Sequence, residues 1–192
     1  MRRKTAAVCR ATDEVLCVSI PKIIHYCWFG GGPIGEADRK CMESWKKYCP
    51  DYKIIEWNDQ NFDISTNRYA QQAYEAKKYA FVSDYVRLAV LYEYGGIYLD
   101  TDVELVRPLD ELLELPGFMG FQNNNEVATG LGFGACKGNP VVQALLRDYD
   151  ALDFIKADGS VDLTPCPERN TKVLQTLSVR VDGTRQSIAE ME

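Results

Sequence analysis

Apolar and polar positions alternate in an ordered way along the first third of the chain. The apolar run 22–29 ends at three glycines and a proline, a pattern typical of a strand followed by a turn. The segment 36–48 then places apolar residues three or four positions apart and stops before Pro50, which predicts an amphipathic helix. A second apolar run at 52–57 predicts another strand. This strand, helix, strand unit is typical of parallel sheets flanked by helices.

The rest of the chain continues this alternation of helix and strand patterns. Helices are predicted at 67–80, from an N-cap at Ser83 to Tyr94, and at 109–115, 140–149 and 168–177; strands are predicted at 97–105, 117–122 and 130–136. Gly95 and Gly96 are the stop signal of the helix that ends at Tyr94. The 192 residues suit one α/β domain. We assign 20–192 to that domain and 1–19 to an N-terminal extension of unclear status.

Composition narrows the partners and the compartment. The net charge is -6 and no basic stripe interleaved with aromatic residues is present, which argues against nucleic acid as a partner. No stretch reaches the roughly 18 apolar residues of a membrane helix, so we expect a protein that is at most peripheral to a membrane. The seven cysteines are an odd number without a C-x-x-C pair, which predicts reduced thiols and a cytoplasmic protein, at the inner face of the membrane if it is peripheral.

The predicted strand 97–105 carries the strongest chemical signal. Side chains alternate faces along a strand, so Tyr98, Asp100, Asp102 and Glu104 are expected on one face. Two adjacent carboxylates repel each other unless a cation or hydrogen-bond donors compensate their charge. The pattern therefore predicts a divalent metal at Asp100 and Asp102. The alternative is an edge strand whose acidic residues face solvent.

Two further segments carry residues suited to a nucleotide ligand. Asp84 and Arg87 lie three positions apart on a predicted helix, where they meet on one face and can clamp a phosphate or a sugar hydroxyl; the alternative is a simple helical ion pair. His25 and Trp28 lie at the end of the first predicted strand, where ligands of open α/β sheets bind. Trp28 is placed to stack on a nucleobase, and core packing is the alternative for both residues.

Three segments, 20–31, 83–87 and 95–102, together resemble a known family in their order and spacing. The chain is similar, from residue 20 to at least residue 140, to the glycosyltransferases with a DXD sugar-binding region. That family includes bacterial capsular polysaccharide sugar transferases and yeast Och1-like mannosyltransferases. The resemblance implies a GT-A fold, a Rossmann-like α/β architecture with a mixed, mainly parallel central sheet flanked by helices. It also implies a nucleotide-sugar donor, Mn²⁺ or Mg²⁺, and transfer with retention at the anomeric carbon.

The resemblance also implies which residues bind the donor. By position, Trp28 would stack on the donor base, and Cys27 beside it would offer backbone contacts. Ser83, Asp84 and Arg87 would hold the donor sugar and the diphosphate. His25, in the same segment as Trp28, is included among the donor-binding residues.

The DXD segment receives the remaining roles. The resemblance implies that Tyr98 lies against the donor phosphates, that Asp100 contacts the ribose or a metal-bound water, and that Asp102 binds the metal directly. Together with Asp84 and Arg87, the two carboxylates are the predicted catalytic residues. Members of the family usually continue further, with a C-terminal histidine and a Ser-Trp pair that complete the site, so we expect a chain truncated at its C-terminus.

The resulting hypothesis is a metal-dependent retaining glycosyltransferase. It would move a hexose from a UDP-sugar or GDP-mannose to a hydroxyl of a glycan or lipid-linked acceptor in polysaccharide or glycolipid synthesis. One alternative is a catalytically impaired fragment that only binds nucleotide sugar or a partner. Another is a phosphohydrolase of the haloacid dehalogenase type with Asp100 as its nucleophile, which would leave Trp28 and Arg87 unexplained.

Overall fold

A computed structural model describes residues 19–122 and 125–188. Its strands are β1 Ile23–Cys27, β2 Lys53–Trp57, β3 Gly96–Tyr98, β4 Gly117–Met119 and β5 Phe133–Ala135. Its α-helices are α1 Glu36–Tyr48, α2 Arg68–Glu75, α3 Tyr79–Tyr94, α4 Pro140–Asp150 and α5 Cys166–Thr176, with 3-10 turns at Ile64–Thr66 and Asp110–Leu112. Apart from Ser19, the predicted N-terminal extension lies outside the described residues.

The five strands form one sheet in the order β2-β1-β3-β5-β4. Strand β1 pairs in parallel with β2 and β3, whereas β5 runs antiparallel to both β3 and β4. Four strands thus run in one direction and one runs against them. The predicted mixed, mainly parallel α/β sheet is confirmed.

The pleat of the central strands separates two apolar layers. Ile24 and Ile97 pack with Trp45 of α1 on one side of the sheet, whereas Cys27 and Tyr98 belong to the cluster packed under α2 to α5 on the other side. This alternation follows from the two-residue period of a strand. It turns Tyr98 toward helix α3. No helix in the described part of the chain is long and apolar enough to cross a membrane.

Helix α1 has both predicted ends, and it anchors the chain that follows β3. Trp45 is fully buried and its Nε1 donates to the carbonyl of Val103 at 2.7 Å. The Ser44 hydroxyl accepts from the Leu105 amide at 2.8 Å. These two bonds engage the Val103 carbonyl and the Leu105 amide, which in a strand would bond to a neighbouring strand. The segment after β3 is therefore held against α1.

The predicted strand 97–105 is wrong beyond Tyr98. The chain turns there, because the Asp100 amide donates to the Gly130 carbonyl at 3.0 Å and the Val103 amide donates back to the Asp100 carbonyl at 3.1 Å. Asp100 and Asp102 consequently lie in a turn after β3. The alternation predicted that they share a strand face with Tyr98, and this prediction is wrong.

The predicted boundary between the second and third helices is also wrong. Lys77 adopts a left-handed backbone conformation with φ 57°, so the first of these helices ends at Glu75. Helix α3 then begins at Tyr79, and Ser83 lies inside it with its hydroxyl donating to the Tyr79 carbonyl at 3.1 Å. Ser83 is therefore not an N-cap. The glycine stop is confirmed, since Gly95 follows the helix with φ 67°.

The remaining predicted elements are present with shorter or shifted ends. The segment 109–115 forms only the 3-10 turn Asp110–Leu112, and the strands β4 and β5 are three residues each. The last helix begins two residues earlier than expected, at Cys166, after Pro165.

Candidate functional site

A buried arginine organises the site at the end of strand β3. Arg87 Nη2 lies 3.0 Å from Asp84 Oδ1 and 3.3 Å from Asp100 Oδ1, and its Nε donates to the Ser83 carbonyl at 3.1 Å. The predicted helical pair Asp84 and Arg87 is thus present, and Asp100 joins it. Arg87 is only 5% exposed. A buried guanidinium with two carboxylate partners has a fixed position.

Tyr98 completes the surroundings of this arginine. The Arg87 guanidinium lies over the Tyr98 ring, 4.9 Å from its centroid, and the Tyr98 hydroxyl donates to Asp100 Oδ1 at 2.9 Å. The Asp100 carboxylate therefore receives two donors on one oxygen. Its other oxygen, Oδ2, has no hydrogen bond or ion pair within the described part of the chain.

Burial shapes the ionisation of this cluster. Burial raises the pKa of Asp84, and the charge of Arg87 opposes that shift. For Arg87, burial acts to lower the pKa, but Tyr98 and the two carboxylates raise it well above its ordinary value. The guanidinium therefore remains charged. Its charge favours the ionised form of Asp84.

Asp102 lies in a different environment, on the exposed side of the turn. Its backbone carbonyl accepts from the Cys41 thiol at 3.5 Å, and across residues 19–122 and 125–188 its carboxylate has no hydrogen bond or ion pair. Thr101, between the two aspartates, donates to Asp38 of α1 at 3.1 Å. The turn thus holds the partly exposed Asp100 against Arg87 and presents Asp102 to solvent.

The carboxylates of Asp100 and Asp102 are the candidate ligands for a divalent metal. The described residues contain no group of three or more His, Cys, Asp or Glu side chains arranged to hold a metal ion. An exposed carboxylate at Asp102 with a free oxygen at Asp100 nevertheless fits Mg²⁺ or Mn²⁺, which often bind through one or two carboxylates and fill other positions with substrate phosphates and water. The residues present suit a metal shared with a diphosphate ligand.

Trp28 and Cys27 lie at the carboxyl end of β1, on the same edge of the sheet as the turn. Trp28 is half-buried, with its amide donating to the Trp57 carbonyl at 2.8 Å and its Nε1 to the Gly32 carbonyl at 2.6 Å. The indole is therefore fixed at its polar edge. Cys27 is buried, and burial raises the pKa of its thiol to about 12. Its side chain is accordingly a neutral core group.

His25 has the features of a core histidine, the alternative that the sequence left open. It is fully buried, its Nδ1 accepts from Trp57 Nε1 at 3.0 Å, and its Nε2 lies 2.9 Å from the Gly95 carbonyl. Because an indole nitrogen only donates, Nε2 carries the proton and the ring is neutral. Burial lowers the pKa of His25 to about 4. Both ring nitrogens are already hydrogen-bonded within the protein. The structure therefore does not support the predicted contact of this side chain with a nucleotide-sugar donor.

The structure adds residues to the site that the sequence did not point to. Thr129 and Gly130 lie behind Asp100, and Cys166 and Asn170 of α5 contact Thr129. They are 29 to 70 positions away from Asp100 in the chain, and no spacing rule connects them to it. The one local signal is a glycine just before strand β5.

The fold of this protein is GT-A-like. A sheet of this kind with an acidic turn after the third strand is a GT-A-like α/β fold, and the solved structure "PaToxG Glycosyltransferase" superposes with a TM-score of 0.62, covering 82% of this chain and 70% of that one at 22% identity. Residues 35–118 match the family model "Glycosyltransferase sugar-binding region containing DXD motif". This region, 84 of the 192 residues of the chain, is similar to that family.

Curated relatives agree with this assignment. "Inositol phosphoceramide mannosyltransferase 3" of Schizosaccharomyces pombe is 31% identical over 151 residues, which are 71% of this chain and 39% of that protein. "Mannosyl phosphorylinositol ceramide synthase SUR1" of Saccharomyces cerevisiae is 34% identical over 146 residues, 71% of this chain and 37% of that protein. The chain thus spans less than two fifths of the length of these two relatives.

Proposed function

We propose that this protein is a metal-dependent retaining glycosyltransferase that moves a hexose from a nucleotide-sugar donor to an acceptor hydroxyl. The observation that carries the proposal is the buried Arg87 that bridges Asp84 and Asp100, next to the Asp102 carboxylate, which has no partner among the residues that the structure describes. One part of this arrangement is prepared for a polar sugar. The other part is open to a cation.

The donor roles follow from which atoms are already engaged. Asp84 is held by Arg87, so its carboxylate has a fixed orientation in which it can accept from a sugar hydroxyl. Asp100 uses Oδ1 for Tyr98 and Arg87, which leaves Oδ2 for a ribose hydroxyl or a metal-bound water. Arg87 supplies positive charge near the diphosphate in a protein with a net charge of -6.

Asp102 would hold Mn²⁺ or Mg²⁺ in this proposal, with Asp100 beside it. When bound, such a cation stabilises the negative charge that develops on the departing nucleoside diphosphate. The protein's own contribution is to keep the Asp102 carboxylate free and to fix the turn through the Asp100 and Val103 hydrogen bonds. Trp28 would stack on the base at the neighbouring strand end.

We further propose a front-face displacement. The buried carboxylate of Asp84 and the partly exposed carboxylate of Asp100 are both paired with Arg87, which lowers their ability to act as covalent nucleophiles. As the bond between the anomeric carbon and the phosphate oxygen breaks, the acceptor oxygen bonds to the same face and its proton passes to the departing phosphate. The configuration is thereby retained. The same pairing makes Asp100 a poor nucleophile for the phosphohydrolase alternative.

The names of the relatives suggest which substrates to try first. Both are mannosyltransferases or synthases of inositol phosphoceramide glycolipids, so GDP-mannose and a lipid-linked acceptor come before UDP-sugars and soluble glycans. We propose that the protein acts at the cytoplasmic face of a membrane as a peripheral protein. Synthesis of a glycolipid or a membrane-linked polysaccharide fits that position.

The proposal is tested by donor binding and donor turnover. The protein is titrated by calorimetry with GDP-mannose, UDP-glucose and UDP-N-acetylglucosamine, with Mn²⁺ and with EDTA, and release of GDP or UDP is measured in parallel. Mn²⁺-dependent binding with turnover is expected for at least one donor. Binding without turnover would favour the binding-only alternative, which the partial coverage of the relatives motivates. Absence of binding to all three donors would contradict the proposal.

A further inference from the structure

Helix α5 holds the segment 127–130, which runs behind the acidic turn. The Val127 amide donates to Thr171 Oγ1 at 2.8 Å, and Asn170 Nδ2 donates to Thr129 Oγ1 at 3.0 Å. Thr129 and Asn170 are almost completely buried. Buried hydrogen bonds of this kind are strongly directional and are costly to leave unmade. The position of the segment is therefore set by α5.

Gly130, the last residue of this segment, is in direct contact with Asp100. Its carbonyl accepts from the Asp100 amide at 3.0 Å. A Cβ atom at position 130 would overlap Asp100 Oδ2 and would lie 3.0 Å from Arg87 Nη1. The Asp100 carboxylate occupies its place between Tyr98 and Arg87 only because residue 130 has no side chain.

We infer that Gly130 is a positioning residue of the donor site, and that α5 acts on the site through Thr129 and Gly130. This inference rests on the proposed function and adds residues that neither the DXD motif nor the segment around Arg87 contains. Gly130 does not touch the reacting atoms. It acts on the position of the Asp100 carboxylate and of the Arg87 guanidinium.

The contact also predicts how a variant would respond. The atom that a new methyl group would meet is the far end of an aspartate side chain, which can rotate away into the solvent-facing part of the site. Gly130→Ala should therefore displace Asp100 and leave the fold intact. A loss of donor binding without a matching loss of stability distinguishes this role from a structural one.

The first experiment compares Gly130→Ala with Gly120→Ala. Gly120 has open space around its Cα, so an added methyl group meets nothing there and this variant is the matched control. Calorimetry with GDP-mannose and Mn²⁺ is expected to give at least about tenfold weaker binding for Gly130→Ala and unchanged binding for Gly120→Ala. Equal affinities of Gly130→Ala and the wild type would overturn the inference.

A double-mutant cycle tests whether Gly130 acts through Asp100. Asp100→Ala removes the carboxylate that the new methyl group would overlap and leaves only the 3.0 Å approach to Arg87 Nη1, so Gly130→Ala should weaken binding much less in that background. Independent, additive losses would contradict the positioning role. Thr129→Val, which removes the hydroxyl that Asn170 contacts, is expected to give a smaller loss than Gly130→Ala, and Thr129→Ser is expected to restore binding.

A readout that needs no donor separates this inference from the proposed function. Arg87 is buried and its Nε–H donates to the Ser83 carbonyl, so it should give a slowly exchanging signal in a ¹⁵N NMR spectrum. Gly130→Ala should shift this signal, and Gly120→Ala should not. If the wild type binds no donor and the signal still shifts in Gly130→Ala, the proposed function fails and the positioning role stands. An unchanged signal would overturn the positioning role.

Discussion

Asp100 and Asp102 are two residues apart, and the protein treats them in opposite ways. Asp100 is held by the Tyr98 hydroxyl and by the buried Arg87, whereas the Asp102 carboxylate faces solvent without a partner in the described part of the chain. A carboxylate that already has donors stays in place before a ligand arrives. A carboxylate without them remains available to a cation. The site thus combines a preorganised half around Arg87 with an open half at Asp102.

Loss of Arg87 should have the largest effect, because it belongs to the preorganised half. Arg87→Met leaves Asp84 and Asp100 without their shared partner, and removing one member of a buried pair typically costs about 3–5 kcal/mol. We expect that decrease in the free energy of unfolding by urea denaturation, together with loss of donor binding.

Lys137→Met is the matched control for Arg87→Met. Lys137 forms an exposed ion pair with Glu93, which belongs to α3, the helix that contains Arg87. It should leave stability and binding nearly unchanged. Arg87→Lys, which keeps the charge, guards against a variant that fails to fold. Wild-type stability in Arg87→Met would contradict the assignment of a preorganised half.

The pH dependence of stability should follow His25, a buried group outside both halves. Its pKa is about 4 in the folded protein and about 6.5 when unfolded, so its contribution is complete above pH 6.5 and is lost as the pH falls toward 4. The difference corresponds to about 3 kcal/mol at pH 4. Urea denaturation between pH 7 and pH 4 measures it.

His25→Gln should show a flatter decline between pH 6.5 and pH 5, where ordinary carboxylates are still ionised. At pH 7 its donor affinity should equal that of the wild type, because the ring has no free nitrogen for a ligand. A large loss of donor affinity at pH 7 without loss of stability would show that His25 belongs to the donor-binding residues, as the sequence predicted.

Asp102→Asn should affect binding alone, because its carboxylate belongs to the open half. We expect the gain in donor affinity on adding Mn²⁺ to fall by about 100-fold, equivalent to about 2.7 kcal/mol, with an unchanged free energy of unfolding. Glu104→Gln removes an exposed acid two residues further on and is the control. Unchanged metal dependence in calorimetry would refute the metal role of Asp102.

Trp28→Ala should have the smallest effect. Loss of base stacking costs about 1–3 kcal/mol of donor affinity, and Trp28→Phe should recover most of it because the aromatic face is kept. The comparison uses free GDP and UDP as ligands, so that the sugar contacts do not contribute. Equal nucleotide affinity in Trp28→Ala and the wild type would contradict the stacking role.

The site was only partly predictable, for a reason that particular residues make clear. Asp84 and Arg87 were expected to meet because i and i+3 positions adjoin on any helix, and they do so even though the helix begins five residues earlier than predicted. Asp100 and Asp102 followed an alternation typical of a strand, but a carbonyl 30 positions away bonded the Asp100 amide and ended that strand. Nothing near Asp100 in the chain signals that partner.

Local patterns along the chain were sufficient for helix α1, the parallel unit of β1 and β2, the glycine stop of α3 and the pairing of Asp84 with Arg87. These features depend on neighbours within a few positions, where residue type and spacing decide. Packing decided the rest: the burial of Arg87 between two carboxylates, the structural role of His25, and the contact of Gly130 with Asp100. Those depend on which distant segments meet, because hydrogen-bond partners and burial arise only when the sheet and helix α5 come together.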